Sequence, residues 1–305
     1  MLGGEDGLMR IGIVGLGAMG SAFAERLREC GHELVVWHRP PEQTRPAVEA
    51  GPTAAASPAD LARQADAVIT ILTDSAAIDD VYNGPGGLLS GDAAGRLFIE
   101  MSTVPPDTQA RLSGQVTARG AAFVECAVSG SVGPARQGKL IGLAGGTPED
   151  VARARPVLDC LCRRVEHIGP PGSGASVKLT VNLPLMLYFQ ALGEAYALSR
   201  HLGYDTAWLI DLLADTTAGP NLLRARGPAV AKALAGEEPP PAFSVETLLK
   251  DLKTMIGEAE RLGQVLPLAE RALEVYEEAS RSGFAGRDAS TLAAFWSSRG
   301  SRTAS

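Results

Sequence analysis

The pattern of hydrophobic and polar positions divides the chain into two parts with different periods. Up to about residue 170, short apolar runs bounded by turn or charged residues alternate with segments of helical character. Such runs are typical of buried strands, and the alternation predicts a mostly parallel sheet flanked by helices. The predicted strands are 10–14, 33–37, 67–72, 97–101, 122–126, 140–145 and 164–168.

Two helix starts are marked by local chemistry. Ser57 and Thr147 each precede a proline, and Asp60 and Asp150 follow three positions after them. A hydroxyl can accept a backbone N–H of the first turn, proline needs no donor there, and a carboxylate favours the positive helix end. Both sites therefore predict the first residue of a helix.

Beyond the Gly- and Pro-rich segment 169–174 the apolar positions follow a helical period throughout. We take this segment as the boundary between domains 1–170 and 171–305. A long helix over 175–202 is expected to bridge them, with a kink at Pro184. Further helices are predicted over 205–215, 221–234, 245–262, 267–280 and 289–296, with a loop at 236–241 and a disordered polar tail at 297–305.

A glycine pattern follows the first predicted strand. Gly15, Gly17 and Gly20 have the spacing GxGxxG, an Ala-rich helical stretch covers 18–30, and the next strand completes a βαβ unit. The first glycine permits a tight turn, the second a close approach of backbone to phosphate, and the third close packing of helix on sheet. The fold class is therefore an α/β Rossmann-type N-terminal domain plus an all-α C-terminal domain, joined by a long interdomain helix.

The end of the second strand indicates which dinucleotide is bound. NAD sites of this type usually place an acid about 20 residues beyond the glycines, whereas this chain has His38 and Arg39, and no carboxylate before Glu42. A guanidinium can bind a 2′-phosphate that an acid would repel. NADP(H) is therefore the expected cofactor, although Arg39 also fits a solvated loop charge.

Composition excludes several other classes. The 305 residues are 45% hydrophobic, the net charge is −7, and no basic run interleaved with aromatic residues occurs, so we expect no nucleic-acid partner. No apolar stretch is long enough for a membrane span, and residues 1–9 resemble no targeting signal, so cytoplasmic residence is expected. The four cysteines lack metal-type or CxxC spacing, which favours reduced structural thiols and no metal site.

Lys178 and Asn182 are the strongest candidates for chemistry. Their i, i+4 spacing places both side chains on one face of a helix, and a helix beginning near Ser176 would put Lys178 in its first turn. There the positive helix end and apolar neighbours disfavour an ammonium, which suits a proton donor near neutral pH. Taken alone, the residue fits a solvated surface lysine better.

Five stretches together resemble the β-hydroxyacid dehydrogenases, the family of 3-hydroxyisobutyrate dehydrogenase, tartronate semialdehyde reductase and glyoxylate/succinic semialdehyde reductases. The resemblance covers about residues 10–296 and includes a helical domain similar to that of 6-phosphogluconate dehydrogenase. Its motifs are GLGAMG at 15–20, MSTVPPDT at 101–108, ECAVSGSVGPARQGKL at 125–140, GASVKLTVN at 174–182 and KDL at 250–252.

The resemblance implies roles for individual residues. Lys178 matches the catalytic lysine that gives a proton to the carbonyl oxygen as hydride arrives, and Asn182 matches a residue that positions substrate or lysine. Ser129 and Gly130 match a pair that holds the substrate carboxylate, and Lys250 matches a lysine that closes over cofactor and substrate. The expected cofactor-binding residues are Gly15, Gly17, Ala18, Met19, Gly20, His38, Arg39, Leu72, Thr73, Thr103 and Lys250.

The expected activity is NADPH-dependent transfer of hydride between the nicotinamide and a 3-hydroxy acid or its semialdehyde. An imine reductase or reductive aminase is the first alternative, and a non-catalytic NADP-binding sensor is the second. The family's common Asp is Glu125 here, and Leu183 replaces a common Asn. The apolar run 185–189 fits either a bulkier substrate or helix packing. The resemblance further implies a homodimer or homotetramer.

Overall fold

The computed structural model describes residues 8–39, 51–240 and 242–299. The chain divides into two compact units between Leu179 and Thr180, inside one long helix. The predictions for residues 1–7 and 300–305, which belong to the amino-terminal segment and the tail, lie outside the described residues.

The first unit is built on an eight-stranded sheet with the order β3-β2-β1-β4-β5-β6-β7-β8. All neighbouring strands are parallel except β6 and β7, which are antiparallel. The mostly parallel sheet is therefore confirmed. The strands are β1 Arg10–Val14, β2 Glu33–Trp37, β3 Thr53–Ala54, β4 Ala67–Thr70, β5 Leu97–Glu100, β6 Ala122–Ser129, β7 Leu140–Gly146 and β8 Cys162–Gly169.

Five of the seven predicted strands differ from their predicted bounds, β6 and β8 the most, and one observed strand was not predicted. Strand β6 continues to Ser129, because its last residues pair with β7. Strand β8 begins at Cys162, since the polar pair Arg163–Arg164 lies exposed on an edge strand and carries no apolar signal. The two-residue β3 is too short to produce a hydrophobic run.

Helices cover the sheet on both faces. They are α1 Ala18–Glu29, α2 Pro58–Gln64, α3 Ser75–Asn83, α4 Pro106–Thr117, α5 Val132–Arg136 and α6 Pro148–Leu161. Alternate strand residues point to opposite faces, so Ile13 and Val14 belong to two separate apolar cores. Ser57 and Thr147 each accept the predicted backbone N–H at 3.1 Å, which confirms both caps.

The long helix α7 spans Ser173–Ser199, continues through Pro184 and is followed by a 3-10 turn, Arg200–Leu202. The other helices of the second unit are α8 Thr206–Asp215, α9 Asn221–Leu234, α10 Val245–Arg261, α11 Pro267–Ala279 and α12 Thr291–Arg299. In this unit the segment Ser280–Phe284 follows α11 and is interrupted by Gly283, which has φ +89°. Among the described residues, no helix has both the length and the apolar character needed to cross a membrane.

The predicted disorder of residues 297–299 is wrong, because α12 continues to Arg299. Ser297 is buried, its hydroxyl donates to the carbonyl of Ala294, and its own carbonyl accepts a hydrogen bond from Arg200 at 2.6 Å. These contacts order a segment whose polar sequence suggested a free tail.

A buried carboxylate joins three segments of the second unit. Asp288 is fully buried, forms an ion pair with Arg226 of α9, and accepts backbone N–H bonds from Ala242 and Ser290 at 2.9 and 3.0 Å. A buried charge is tolerated only when it is paired and hydrogen-bonded in this way. Asp288 therefore fixes the loop before α10 to the neighbouring helices.

Candidate active site

The glycine turn has the geometry that the sequence predicts. Gly15 has φ +100°, and a Cβ there would lie 2.1 Å from the carbonyl oxygen of Ile71. A Cβ on Gly20 would lie 1.8 Å from the carbonyl oxygen of Gly15, whereas a Cβ on Gly17 would meet no atom within 4 Å. Two glycines are thus required by packing, and the third leaves open space.

The beginning of α1 fits an anionic ligand. The N-cap residue of α1 is Gly17, which has no side chain that could accept the first backbone N–H groups. The first turn, which contains Ala18 and Met19, has no acidic residue. The first backbone N–H groups of a helix have no partner within the helix and carry partial positive charge. The open turn and these amides therefore fit a dinucleotide pyrophosphate.

The residues after β2 make contacts that the sequence did not predict. The Nδ1 of His38 accepts the backbone N–H of Leu16 at 3.1 Å, so this side chain supports the glycine turn. Arg39 lies exposed, and its guanidinium is 2.6 Å from the carboxylate of Asp80 in α3. The predicted phosphate-binding cation thus already has an acidic partner.

A buried polar network supports the segments after β4 and β5. Glu100 ends β5, is fully buried, and accepts hydrogen bonds from Ser102 and Gln109. The hydroxyl of Ser102 accepts the backbone N–H of Leu72 at 2.8 Å. Burial raises the pKa of Glu100, although its donors favour the carboxylate. Sequence reasoning missed this network; its only signal is an acid at the end of an apolar strand.

The predicted residues of these segments lie next to the network. Thr73 follows Leu72 and precedes Asp74, whose side chain caps α3 through the backbone N–H of Ala77 at 2.8 Å. Thr103 follows Ser102 and is half-buried. The two threonines thus belong to adjacent loops at the carboxyl ends of neighbouring parallel strands.

Ser129 is the last residue of β6, and Gly130 follows it. Ser129 is half-buried, and Gly130 has φ +130°, a backbone conformation that disfavours any residue with a side chain. A Cβ on Gly130 would also lie 2.5 Å from Leu140. The backbone conformation therefore requires glycine at the predicted carboxylate-binding position, and the Leu140 side chain would have to move to admit a Cβ.

Lys178 and Asn182 lie on α7, and each is 8% exposed. The low exposure excludes the alternative of a solvated surface lysine. The helix begins at Ser173, about three residues earlier than predicted, so Lys178 lies in its second turn. The prediction of a first-turn position is wrong, and the direct effect of the helix end is weaker because it decays within the first turn.

The carboxyl group of Glu125 marks the true start of α7. Its Oε1 accepts the backbone N–H groups of Gly172 and Gly174 at 2.6 and 2.9 Å. Burial raises the pKa of Glu125 to about 7, against the effect of these donors. The sequence identified Glu125 only as a departure from the family pattern.

Lys250 lies on α10 in the second unit. Its Nζ is 2.8 Å from the carboxylate of the next residue, Asp251, which is buried. Two residues of the apolar run after Asn182, Met186 and Phe189, are buried in this unit. Their burial is what the helix-packing alternative predicts.

The four cysteines are free thiols. Cys126 is completely buried, and burial raises the pKa of its thiol well above the ordinary value. A thiol of this kind is neutral and poorly reactive. This agrees with a packing role for Cys126.

The structure brings the predicted residues of the first unit to one edge of the sheet. Strands β1, β2, β4 and β5 are parallel neighbours. Each is followed by predicted site residues: the glycine turn after β1, His38 and Arg39 after β2, Leu72 and Thr73 after β4, and Thr103 after β5. Ligands of such sheets bind beyond the carboxyl ends of the strands. The carboxyl ends of these strands therefore have the arrangement of a dinucleotide-binding site.

Comparison with known families agrees. The model described as the NAD binding domain of 6-phosphogluconate dehydrogenase matches residues 10–169. The model described as the NAD-binding domain of NADP-dependent 3-hydroxyisobutyrate dehydrogenase matches residues 172–296. The chain belongs to the β-hydroxyacid dehydrogenase family, and it is an NAD(P)-dependent oxidoreductase.

Three relatives illustrate the range of similarity. Glyoxylate/succinic semialdehyde reductase 1 of Arabidopsis thaliana is 32% identical over 93% of this chain and 97% of its own. A 3-hydroxyisobutyrate dehydrogenase structure from Salmonella typhimurium has a TM-score of 0.84 at 26% identity, covering 94% of this chain and 99% of its own. A reductive aminase from Aspergillus terreus, solved with NADPH4, cyclohexanone and allyl amine, has a TM-score of 0.62 at 25% identity, covering 95% of this chain and 99% of its own.

Proposed function

We propose that the chain reduces small semialdehyde acids with NADPH and oxidises the corresponding 3-hydroxy acids in reverse, with Lys178 as the proton donor and acceptor. The observation that carries the proposal is the burial of Lys178 in a chain with an open dinucleotide turn. Lysine is among the residue types that are least often buried in folded proteins, so this burial sets Lys178 apart from a surface lysine. Relatives named as semialdehyde reductases support the substrate class.

The bound nicotinamide supplies or accepts the hydride. In the reducing direction the Lys178 ammonium donates a proton to the substrate's carbonyl oxygen and becomes a neutral amine. Asn182, one helical turn later, orients the lysine or the substrate by hydrogen bonding. Ser129 and Gly130 bind the substrate carboxylate through a hydroxyl and a backbone N–H. Lys250 adds a second positive charge for cofactor or substrate.

Preference for NADPH over NADH is assigned to Arg39. The segment from Trp37 to Arg39 contains no acid that would bind a ribose 2′-hydroxyl or repel a 2′-phosphate. Arg39 is exposed and offers a planar fork of donors once it leaves Asp80. A related structure of 25% identity was solved with NADP+, which supports NADP(H) as the cofactor.

The direct test is oxidation of NADPH by the purified protein with short semialdehydes, glyoxylate and cyclic imines, with NADH in parallel. We expect turnover of a semialdehyde or glyoxylate and preference for NADPH. Lys178→Ala should lower kcat by about 10²–10⁴-fold while keeping NADPH binding, because general acid catalysis has this magnitude. Lys232→Ala, at an exposed position of α9, is the matched control and should keep the wild-type rate.

The same panel separates the alternatives. Turnover of imines alone would establish the reductive aminase alternative, which the Aspergillus terreus structure favours at lower similarity. NADPH binding with no turnover of any substrate would establish the sensor. A wild-type rate in Lys178→Ala would remove the lysine from the mechanism.

We further propose that the protein is a homodimer or homotetramer and works in the cytoplasm. Several large apolar side chains at the end of α7 and along α8 lie exposed, a pattern typical of an interface between copies. They are Leu198, Leu202, Tyr204, Trp208 and Leu212. Light scattering should give twice or four times the chain mass, and Trp208→Asp should lower it. The free cysteines are the state that a reducing compartment maintains.

A further inference from the structure

Glu125 supplies the hydrogen-bond acceptor for the first turn of α7. Its side chain is 1% exposed, and its Oε1 accepts two backbone N–H groups from a segment 47 and 49 residues later in the chain. The first N–H groups of a helix have no partner within the helix. A strand residue, rather than a residue just before the helix, therefore caps α7.

The neighbouring strands leave space for this carboxylate and little else. Gly145 of β7 is paired with Glu125, and a Cβ on Gly145 would lie 2.3 Å from Oε1. A Cβ on Gly174 would lie 2.4 Å from the carbonyl oxygen of Leu143. The first turn of α7 thus packs directly on the strand backbone, and the carboxylate fills the gap.

The neighbouring acid does not share this role. Glu100 of β5 is paired with Glu125, but its donors come from Ser102 and Gln109. Each carboxyl group therefore holds a different segment: one holds the loop that contains Thr103, and the other holds the start of α7. The remaining oxygen of Glu125, Oε2, is buried and has no hydrogen-bond partner among the described residues.

We infer that Glu125 is a positioning residue that fixes the first turn of α7 and, through this turn, the catalytic Lys178. Lys178 lies four residues after Gly174, on the same side of the helix and about 6 Å further along it. A shift of the first turn is therefore transmitted to the lysine. The inference rests on the proposed function, because it needs Lys178 to take part in proton transfer.

Two variants of similar side-chain volume separate positioning from packing. Glu125→Met removes both acceptor oxygens, and Glu125→Gln keeps one oxygen in the place of Oε1. Thr147→Ala, which removes the cap of α6 in the same unit, controls for loss of a helix cap in general. For each variant, kcat and KM are measured with NADPH and the semialdehyde that the wild type turns over, and hydrogen–deuterium exchange is measured over residues 172–180.

We expect Glu125→Met to lower kcat by about 10–100-fold, with KM for NADPH within about twofold, because a misplacement of about 1 Å has this effect. Exchange over 172–176 should be faster. Glu125→Gln should restore kcat to within about fivefold of wild type. Thr147→Ala should lose stability and keep kcat.

The inference is overturned if Glu125→Met keeps the wild-type kcat while Lys178→Ala is inactive. It is also overturned if Thr147→Ala loses as much activity as Glu125→Met, since the effect is then general destabilisation. If Lys178→Ala keeps the wild-type rate, the proposed function fails instead. Exchange in Glu125→Met then still decides whether the carboxyl group anchors the helix.

Discussion

Two glycines of the turn allow an effect on folding stability to be distinguished from an effect on cofactor binding. Gly17 and Gly20 lie in the same turn and helix, but a methyl group on each meets a different environment. We compare Gly17→Ala with Gly20→Ala. The first should fold normally and lose NADPH binding, whereas the second should lose stability.

The magnitudes follow from the positions of the added methyl groups. At Gly20 the methyl carbon would lie 1.8 Å from the carbonyl oxygen of Gly15. The backbone of Gly15 cannot move away from this methyl group, because it is itself packed against the backbone of Ile71. Overpacking of this kind costs about 1–3 kcal/mol, and we expect the upper end, about 5–10 °C in Tm. At Gly17 φ is −65° and ψ −173°, which alanine adopts freely, so the net cost is about 0.5 kcal/mol or less.

The assay is thermal unfolding with and without NADPH. A ligand at about 100 times its Kd stabilises the folded wild type by about 2.7 kcal/mol. Gly17→Ala should lose most of this stabilisation and keep the Tm of the free protein. Full stabilisation by NADPH in Gly17→Ala would refute a phosphate position above this glycine, and an unchanged Tm in Gly20→Ala would refute the packing argument.

Three further predictions concern charge. Asp80→Asn frees Arg39 of its carboxylate partner, and the Kd of NADPH, measured by fluorescence titration, should fall by up to about fivefold while that of NADH stays constant. Burial raises the pKa of Glu125 to about 7 from an ordinary 4.5, so between these pH values the folded chain keeps a proton that the unfolded chain loses. The free energy of unfolding therefore decreases as the pH rises through this window. In urea unfolding at several pH values, Glu125→Gln should make this decrease smaller by about 3 kcal/mol. Asp288→Ala leaves the Arg226 charge unpaired and should cost about 3–5 kcal/mol in urea unfolding, whereas Asp215→Ala, at an exposed ion pair, should be nearly neutral. The first expectation is contradicted if Asp80→Asn increases the affinity for NADPH and NADH equally. The second is contradicted if the effect of Glu125→Gln on the free energy of unfolding does not depend on pH, and the third if the two aspartate variants lose equal stability.

Features encoded by neighbouring residues could be predicted from the sequence. The caps at Ser57 and Thr147 need only the four residues around them, and the helix Asn221–Leu234 was predicted with its observed bounds. The glycine turn was predicted because each glycine has a separate physical reason. Local patterns therefore sufficed for most of the strands and helices and for the geometry of the glycine turn.

Features that depend on residues far apart in the chain could not be predicted. The start of α7 is set by Glu125, 47 residues before Gly172, and no local signal marks this pairing. The bond from Leu16 to His38 and the ion pair of Arg39 with Asp80 likewise arise only when separate strands and helices meet. The sequence thus identified candidate side chains better than it identified what holds them.

The two outermost strands of the sheet, β3 and β8, have a consequence for how copies of the chain can associate. At one edge β3 has only two residues, and at the other β8 presents exposed charged residues, including Arg163 and Arg164. Short or charged edge strands resist pairing with a strand of another molecule. The sheet is therefore protected against edge-to-edge growth and aggregation, and the association proposed above would have to use helix surfaces, where side chains rather than backbone groups select the partner.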